Sequence, residues 1–160
     1  MRNENLINTL SENIATLFGF IGSIKNEKII WEKEAGEISI YDHIYHLSNC
    51  QENFYQRLET FLTDDNADIF SVPLTGVSKV EKPEMSQVSI MMRTFEKWRL
   101  YQVELIKSTN GELWDKECIY SEFKKYSFES CIKDILLNDH FHVGQINQIL
   151  RWEKLINQKK

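Results

Sequence analysis

The chain has 160 residues and a formal net charge of −5, from 19 Lys and Arg against 24 Asp and Glu. This length predicts one domain, residues 1–160, with a core large enough to fold without disulfides. A composition of 42% hydrophobic and 27% charged residues excludes a disordered chain. The acidic balance lacks the basic surface that nucleic acids and anionic membranes require. No apolar run approaches the roughly 20 residues that span a bilayer.

The cysteines and the N-terminal residues indicate a cellular compartment. Cys50, Cys118 and Cys131 are odd in number and form no C-x-x-C pair, which is typical of buried thiols in a reducing environment. The residues after Met1 lead into an amphipathic segment and not into the apolar stretch of a signal peptide. We therefore expect a soluble, cytoplasmic protein.

Two segments in the first half of the chain have the hydrophobic period of amphipathic helices. The first carries apolar residues three or four positions apart from Leu6 to Ile24. The second begins at Ser39, which is placed to cap the helix, with Asp42 in the third helical position as in a capping box. Its apolar positions are Ile40, Ile44, Leu47, Phe54, Leu58 and Phe61.

The second half of the chain predicts two more helices. Residues 63–84, with two prolines and a glycine, are predicted to form a long connection of a kind that is often functional. The third helix is predicted over 86–108 and ends at Thr109-Asn110-Gly111. Residues 112–126 are interpreted as a connection containing a short strand or helical piece. The fourth helix starts near Ser127, and its apolar row carries Ile132, Ile135, Leu136, Ile146, Ile149 and Trp152, with His142 in the same row.

Four amphipathic helices with long crossing connections favour an all-α four-helix bundle. Such bundles build metal and ligand sites from side chains that point inward from facing helices. The polar residues on the inward faces are therefore the candidates for function.

The four histidines lie in the second and fourth predicted helices. At about 100° per residue, His43 and His46 lie about 60° apart and share one side of their helix. His140 and His142 lie about 200° apart, so a regular helix cannot direct both to one ion. His142 belongs to the apolar row of its helix and faces the core, whereas His140 faces away.

The candidate metal site consists of His46, His142 and one of Asn138 or Asp139, which precede His142 on the same face. Two imidazoles with an oxygen ligand and an open position are the pattern of a catalytic metal site. The alternative is that these histidines are hydrogen-bonded core residues, and spacing does not separate the two interpretations. His43 is assigned to the surface or to a contact behind the ligands.

Two stretches of the sequence resemble the DinB-like, or YfiT-like, metal-dependent superfamily. Residues 31–47 resemble the loop, serine cap and second helix of the family, in which a ligand histidine precedes a leucine, here His46. Residues 138–146 are similar to its closing helix, in which two histidines four positions apart precede a Gly-Gln-Ile-like turn. The second of these falls on His142.

The chain departs from the ligand set of this family at one position. The first histidine of the closing motif maps onto Asn138, whose neutral carbonyl oxygen is a poor replacement for imidazole toward zinc or nickel. Asp139 is one residue out of register, and turned inward it would complete a set of two histidines and one carboxylate.

The resemblance implies an up-down-down-up bundle, a homodimer and a divalent metal, which would be zinc, nickel or iron. Its activity would be metal-dependent thiol S-transfer or hydrolysis of a small electrophilic substrate. The metal would lower the pKa of a thiol or of water in a pocket between the second and fourth helices. The alternative function is a non-catalytic bundle with a degenerate metal site that binds a small ligand or a partner chain.

Overall fold

The structure, a computed structural model, describes residues 2–25, 27–30, 38–63, 84–121 and 124–157. Within these residues the chain forms five α-helices, one 3₁₀ turn and one two-stranded hairpin. The predicted connection over 63–84 lies almost entirely outside the described residues, as do residues 31–37 of the stretch that resembles the family's loop. The elements are α1 (Arg2–Gly22), the 3₁₀ turn (Glu27–Ile30), α2 (Ile40–Thr63), α3 (Met85–Ser108), α4 (Gly111–Trp114), β1 (Glu117–Ser121), β2 (Lys124–Ser127) and α5 (Phe128–Asn157).

The start of α2 is fixed by the predicted capping box. The backbone N–H of Asp42 donates to the Ser39 hydroxyl at 3.2 Å, and the backbone N–H of Ser39 donates to the Asp42 carboxylate at 2.9 Å. Both side chains are buried, so these bonds satisfy donors that water does not reach. The box therefore sets where the first turn of α2 begins, and with it the position of His43.

The long helices pack around two apolar clusters, one at each end of the molecule. In the first cluster, Leu10 from the beginning of α1 packs with Phe61 from the end of α2. Ile106 from the end of α3 and Phe128 from the beginning of α5 complete this end. The beginnings of α1 and α5 therefore lie beside the ends of α2 and α3.

The second cluster has the opposite pattern. It combines Leu17 of α1 and Leu150 of α5, from the later parts of those helices, with Ile40 and Val88 from the beginnings of α2 and α3. The four long helices α1, α2, α3 and α5 therefore run up, down, down and up. α2 packs against α3 and α5, and α1 packs against the same two helices. This confirms the all-α four-helix bundle.

Residues 109–127 differ only in detail from the predicted connection. α3 ends at Ser108, and Asn110 caps the single turn α4 by accepting a hydrogen bond from the Leu113 backbone. β1 and β2 then pair antiparallel, and the Ser127 hydroxyl accepts from the Ser130 backbone at the start of α5. The two strands contain few residues, as an all-α chain requires. None of the described helices has the length and apolar character of a membrane span.

Candidate metal centre

Three imidazoles meet between α2 and α5. His142 on α5 faces both His43 and His46, which lie one turn apart on α2. The Nδ1 atoms of His43 and His142 are 2.8 Å apart, and the ring centroids of His46 and His142 are 4.4 Å apart. The sequence prediction that His46 and His142 meet across the core is therefore confirmed.

Of the two positions predicted for His43, the structure excludes the surface and agrees with a contact behind the ligands. Its side chain is only 3% exposed and lies in direct contact with His142. A signal for this was present in the sequence, because His43 precedes Phe61 by eighteen residues, which is five full helical turns. His43 therefore lies on the same line of α2 as a core phenylalanine. His140, by contrast, is exposed on the other side of α5, as predicted.

The electrostatics of the cluster favour neutral rings. Burial, and then the neighbouring His46 and His43, lower the pKa of His142 to about 3. Burial also lowers the pKa of His43, with Asp42 acting in the opposite direction and His46 in the same direction. Neutral imidazole is the form that binds a metal ion, so the cluster holds these two rings in their ligating state.

One nitrogen of the cluster has no partner. Nδ1 of His46 is buried and forms no hydrogen bond within the described residues. A buried polar atom of this kind requires an explanation, because most such atoms are paired. The described side chains of His, Cys, Asp and Glu nevertheless include no set of three already in metal-binding geometry. Among the described residues, the cluster is thus a set of imidazoles that includes a buried nitrogen without a hydrogen bond, and it is not a preformed coordination sphere.

Asp139 is engaged elsewhere in the core. Both of its carboxylate oxygens accept hydrogen bonds from the guanidinium group of Arg99, and both side chains are fully buried. Asn13 of α1 donates to the same carboxylate at 2.9 Å. Gln51 of α2 accepts from Arg99 at 2.8 Å, so this polar network joins all four long helices. Asp139 therefore has its oxygens occupied by the network.

Asn138, the other predicted oxygen ligand, lies half-buried beside Cys50. Its amide nitrogen donates to the Cys50 sulfur at 3.4 Å. Of the four predicted ligands, the structure thus brings His46 and His142 together. His43 joins these two rings, although it was not among the four predicted ligands. Asp139 is bound to Arg99, and Asn138 lies against the thiol of Cys50.

A cleft of about 290 Å³ opens next to the histidine cluster. His43 contributes to its wall from α2, and the rest of the described wall comes from α5 and from Ile38. The described lining residues are Ile38, His43, Phe141, Gln145, Gln148, Ile149 and Trp152. A small molecule in this cleft would therefore contact an imidazole of the cluster.

Comparison with known proteins identifies the fold. No family model matches the sequence, and neither does any curated protein. Among solved structures, YfiT from Bacillus subtilis matches over 95% of this chain and 87% of its own, with a TM-score of 0.73 at 14% sequence identity. The fold is that of YfiT. YfiT itself is described as a probable metal-dependent hydrolase with an unusual four-helix bundle topology. The YfiT-like architecture expected from the sequence is thereby confirmed.

Proposed function

We propose that this protein is a divalent-metal-dependent hydrolase whose ion is held by His43, His46 and His142. The observation that carries the proposal is the convergence of three imidazoles, one of which has a buried and unpartnered Nδ1. Three histidine ligands with an open position are a common form of catalytic zinc site. The description of YfiT as a probable metal-dependent hydrolase supports the same class of reaction.

The donor chemistry of the cluster fits a divalent ion. The contact between His43 and His142 joins their two Nδ1 atoms, so one ring donates a hydrogen to the other. His43, His46 and His142 would hold such an ion through ring nitrogens, and binding would displace the hydrogen that His43 and His142 share. Imidazole nitrogen is a good ligand for zinc, nickel and iron, which are the metals that the sequence resemblance implies.

The protein supplies position and shielding around this centre. When bound, a divalent ion acts as a Lewis acid and lowers the pKa of a coordinated water or thiol. The cleft beside His43 holds the substrate against the cluster, and the aromatic side chains of Phe141 and Trp152 flank it. The substrate is a small electrophile, and a low-molecular-weight thiol replacing water would convert hydrolysis into thiol transfer.

A metal titration tests the ligand set. Tag-free protein is stripped with a chelator and titrated with zinc, nickel or cobalt in competition with a chromophoric chelator. We expect one ion per chain, and an affinity at least about tenfold lower for His43→Gln, His46→Gln and His142→Gln. His140→Gln is the matched control, because this exposed histidine lies on the same helix outside the cluster. Unchanged affinity in all three cluster variants would refute the assignment.

A substrate screen tests the reaction class. Metal-loaded protein is assayed with small activated esters and amides, and with small electrophiles in the presence of a thiol. Hydrolysis that disappears on chelation and returns with metal supports the proposed hydrolase. Turnover only in the presence of the thiol assigns the protein to the transferases instead.

A second function, binding without catalysis, is favoured by one observation. Nδ1 of His43 and Nδ1 of His142 already satisfy each other by hydrogen bonding, and no described set of three side chains has metal-binding geometry. In this case the bundle binds a small ligand or a partner chain through the cleft. Wild-type protein that binds no divalent ion in the titration, and yet binds small molecules in the cleft, would establish this function.

A further inference from the structure

The cleft beside the histidine cluster has a lining that selects for a particular ligand chemistry. Two aromatic side chains of this lining are exposed, because Phe141 is 56% exposed and Trp152 is 61% exposed. Ile38 and Ile149 extend this surface on either side. Exposed aromatic groups around a concave site are typical of small-molecule binding.

The polar side chains among the described lining residues of the cleft are two glutamines and one histidine. Gln145 and Gln148 are placed along α5 among the aromatic residues, and each offers both a hydrogen-bond donor and an acceptor. The remaining polar side chain among the described lining residues is the imidazole of His43. None of the described lining residues is an Asp, Glu, Lys or Arg.

This combination disfavours charged ligands. A carboxylate or phosphate bound in the cleft would lose water without gaining a cationic partner from the described lining residues, and an ammonium group would lose water without gaining a carboxylate from them. An aromatic or apolar body loses little by leaving water and packs against the Phe141 ring and the Trp152 indole. A carbonyl or amide group can exchange its hydrogen bonds with water for bonds to the glutamine side chains.

We propose that the cleft binds uncharged small molecules with a flat apolar body and a carbonyl or amide group. Only the hydrolysis of a ligand at its carbonyl group, which the cleft holds beside His43, rests on the proposed function. The binding itself depends on the lining residues and is measured without turnover. The proposed substrates of the metal centre are therefore neutral aromatic esters or amides.

The test compares three ligands that share one skeleton and differ in charge. Phenylacetamide is neutral, phenylacetate is an anion and phenethylamine is a cation near neutral pH. Binding is measured by ligand-observed NMR in EDTA, so that the carboxylate cannot coordinate a metal ion. We expect phenylacetamide to bind at least about tenfold more tightly than either charged ligand.

Surface variants locate the binding. Phe141→Ser and Trp152→Ser are expected to weaken phenylacetamide binding at least about fivefold. Leu137→Ser is the matched control, because Leu137 is 69% exposed on the same helix and does not line the cleft. The exposed positions of all three residues leave the core intact. Equal effects of the three variants would overturn the assignment to this cleft.

The remaining outcomes also decide the proposal. Tighter binding of either charged ligand, or no binding of any ligand at about 10 mM, would overturn it. His142→Gln separates it from the proposed function, because that variant removes a proposed metal ligand outside the cleft lining. Retained phenylacetamide binding in His142→Gln, together with a wild-type protein that binds no metal, would leave the cleft proposal standing and refute the metal-dependent hydrolase.

Discussion

Asn138 lies one turn before His142 on α5, about 40° around the helix axis. That is the placement which two ligands on one helix require, but its amide nitrogen contacts the Cys50 sulfur. An imidazole at this position would supply a strong nitrogen donor where the native side chain offers a neutral amide. The residue therefore limits how many donors α5 can contribute.

We predict that Asn138→His raises zinc or nickel affinity at least about tenfold, which corresponds to about 1.4 kcal/mol. Competition titration against a chelator measures the change. Asn147→His is the control, since it adds a histidine to another side of α5. If affinity rises equally in both variants, the added histidine acts nonspecifically and position 138 is not part of the centre.

The three thiols of the chain are predicted to be inert in the folded protein. Burial, and then the charge of Asp139, raise the pKa of Cys50 to about 12. Burial likewise raises the pKa of Cys131 to about 12, and Cys118 is also buried. A raised pKa reduces the thiolate fraction, and the thiolate is the reactive species.

A thiol assay checks this prediction. At about pH 8 a disulfide reagent should label the native protein slowly, and should label all three cysteines after denaturation in guanidinium. Rapid labelling of Cys50 in the native state would contradict its burial beside Asn138.

The sequence predicted part of this site because helical periodicity is a local property. It placed His46 and His142 inward, and the structure confirms their contact. It did not predict the partner of Asp139, because Arg99 is forty residues away and their pairing depends on how the helices are arranged. It left open whether His43 lies at the surface or behind the ligands, although the five-turn spacing to Phe61 indicated the inward face.

At the scale of the helices, the Arg99–Asp139 pair is the main polar contact inside the bundle. The pair lies among Asn13, Gln51 and Gln102, so each long helix contributes to one network. Burying the two charges costs desolvation free energy, and their mutual hydrogen bonds offset it. The hydrogen bonds of this network run between different helices, so we expect them to fix the register of the helices.

We predict that Asp139→Asn lowers the free energy of unfolding by about 3–5 kcal/mol, because it leaves the buried Arg99 without its counter-charge. The double variant Arg99→Met/Asp139→Leu should recover much of that loss, since no buried charge then remains. Urea unfolding of the wild type, Arg99→Met, Asp139→Leu and the double variant gives the coupling free energy.

Metal titration of Asp139→Asn separates two roles of the carboxylate. Unchanged affinity agrees with its hydrogen bonds to Arg99. A lost site in a variant that remains folded would instead make Asp139 a ligand, as the sequence allowed. Near-zero coupling with Arg99 in the unfolding cycle would contradict the structural role.

Helix positions were predictable to within a few residues because caps and apolar stripes are encoded locally. Ser39 and Asp42 form the reciprocal bonds that their spacing indicated. Trp152 is the exception, because it continues the apolar pattern of α5 but is largely exposed. Periodicity identifies a face of the helix, but not how far along the helix its neighbours cover that face.

At the scale of the whole molecule, we propose a homodimer that forms through the outer face of α3. On α3, Trp98 and Tyr101 have ring centroids 5.7 Å apart, and Tyr55 of the neighbouring α2 lies 5.4 Å from the Trp98 ring. Ile90 and Leu100 add exposed apolar surface on the same helix. Aromatic residues of this kind are enriched at protein interfaces.

Light scattering at micromolar concentration should therefore give twice the 19.0 kDa mass of one chain. Tyr101→Glu is expected to give a monomer, because it brings a charge into the buried interface. Leu137→Glu on α5 should leave the dimer intact. A wild-type mass of one chain, or a dimer that persists in Tyr101→Glu, would rule out this interface.

The central claim is that His43, His46 and His142 hold one divalent ion, and a crystal structure of zinc-soaked protein tests it most directly. Anomalous diffraction recorded on both sides of the zinc absorption edge locates the metal independently of the protein coordinates. We expect one peak between the three rings, with a nitrogen of each about 2.0–2.1 Å from it. A map without a peak there, in which the hydrogen bond between His43 and His142 is retained, would contradict it.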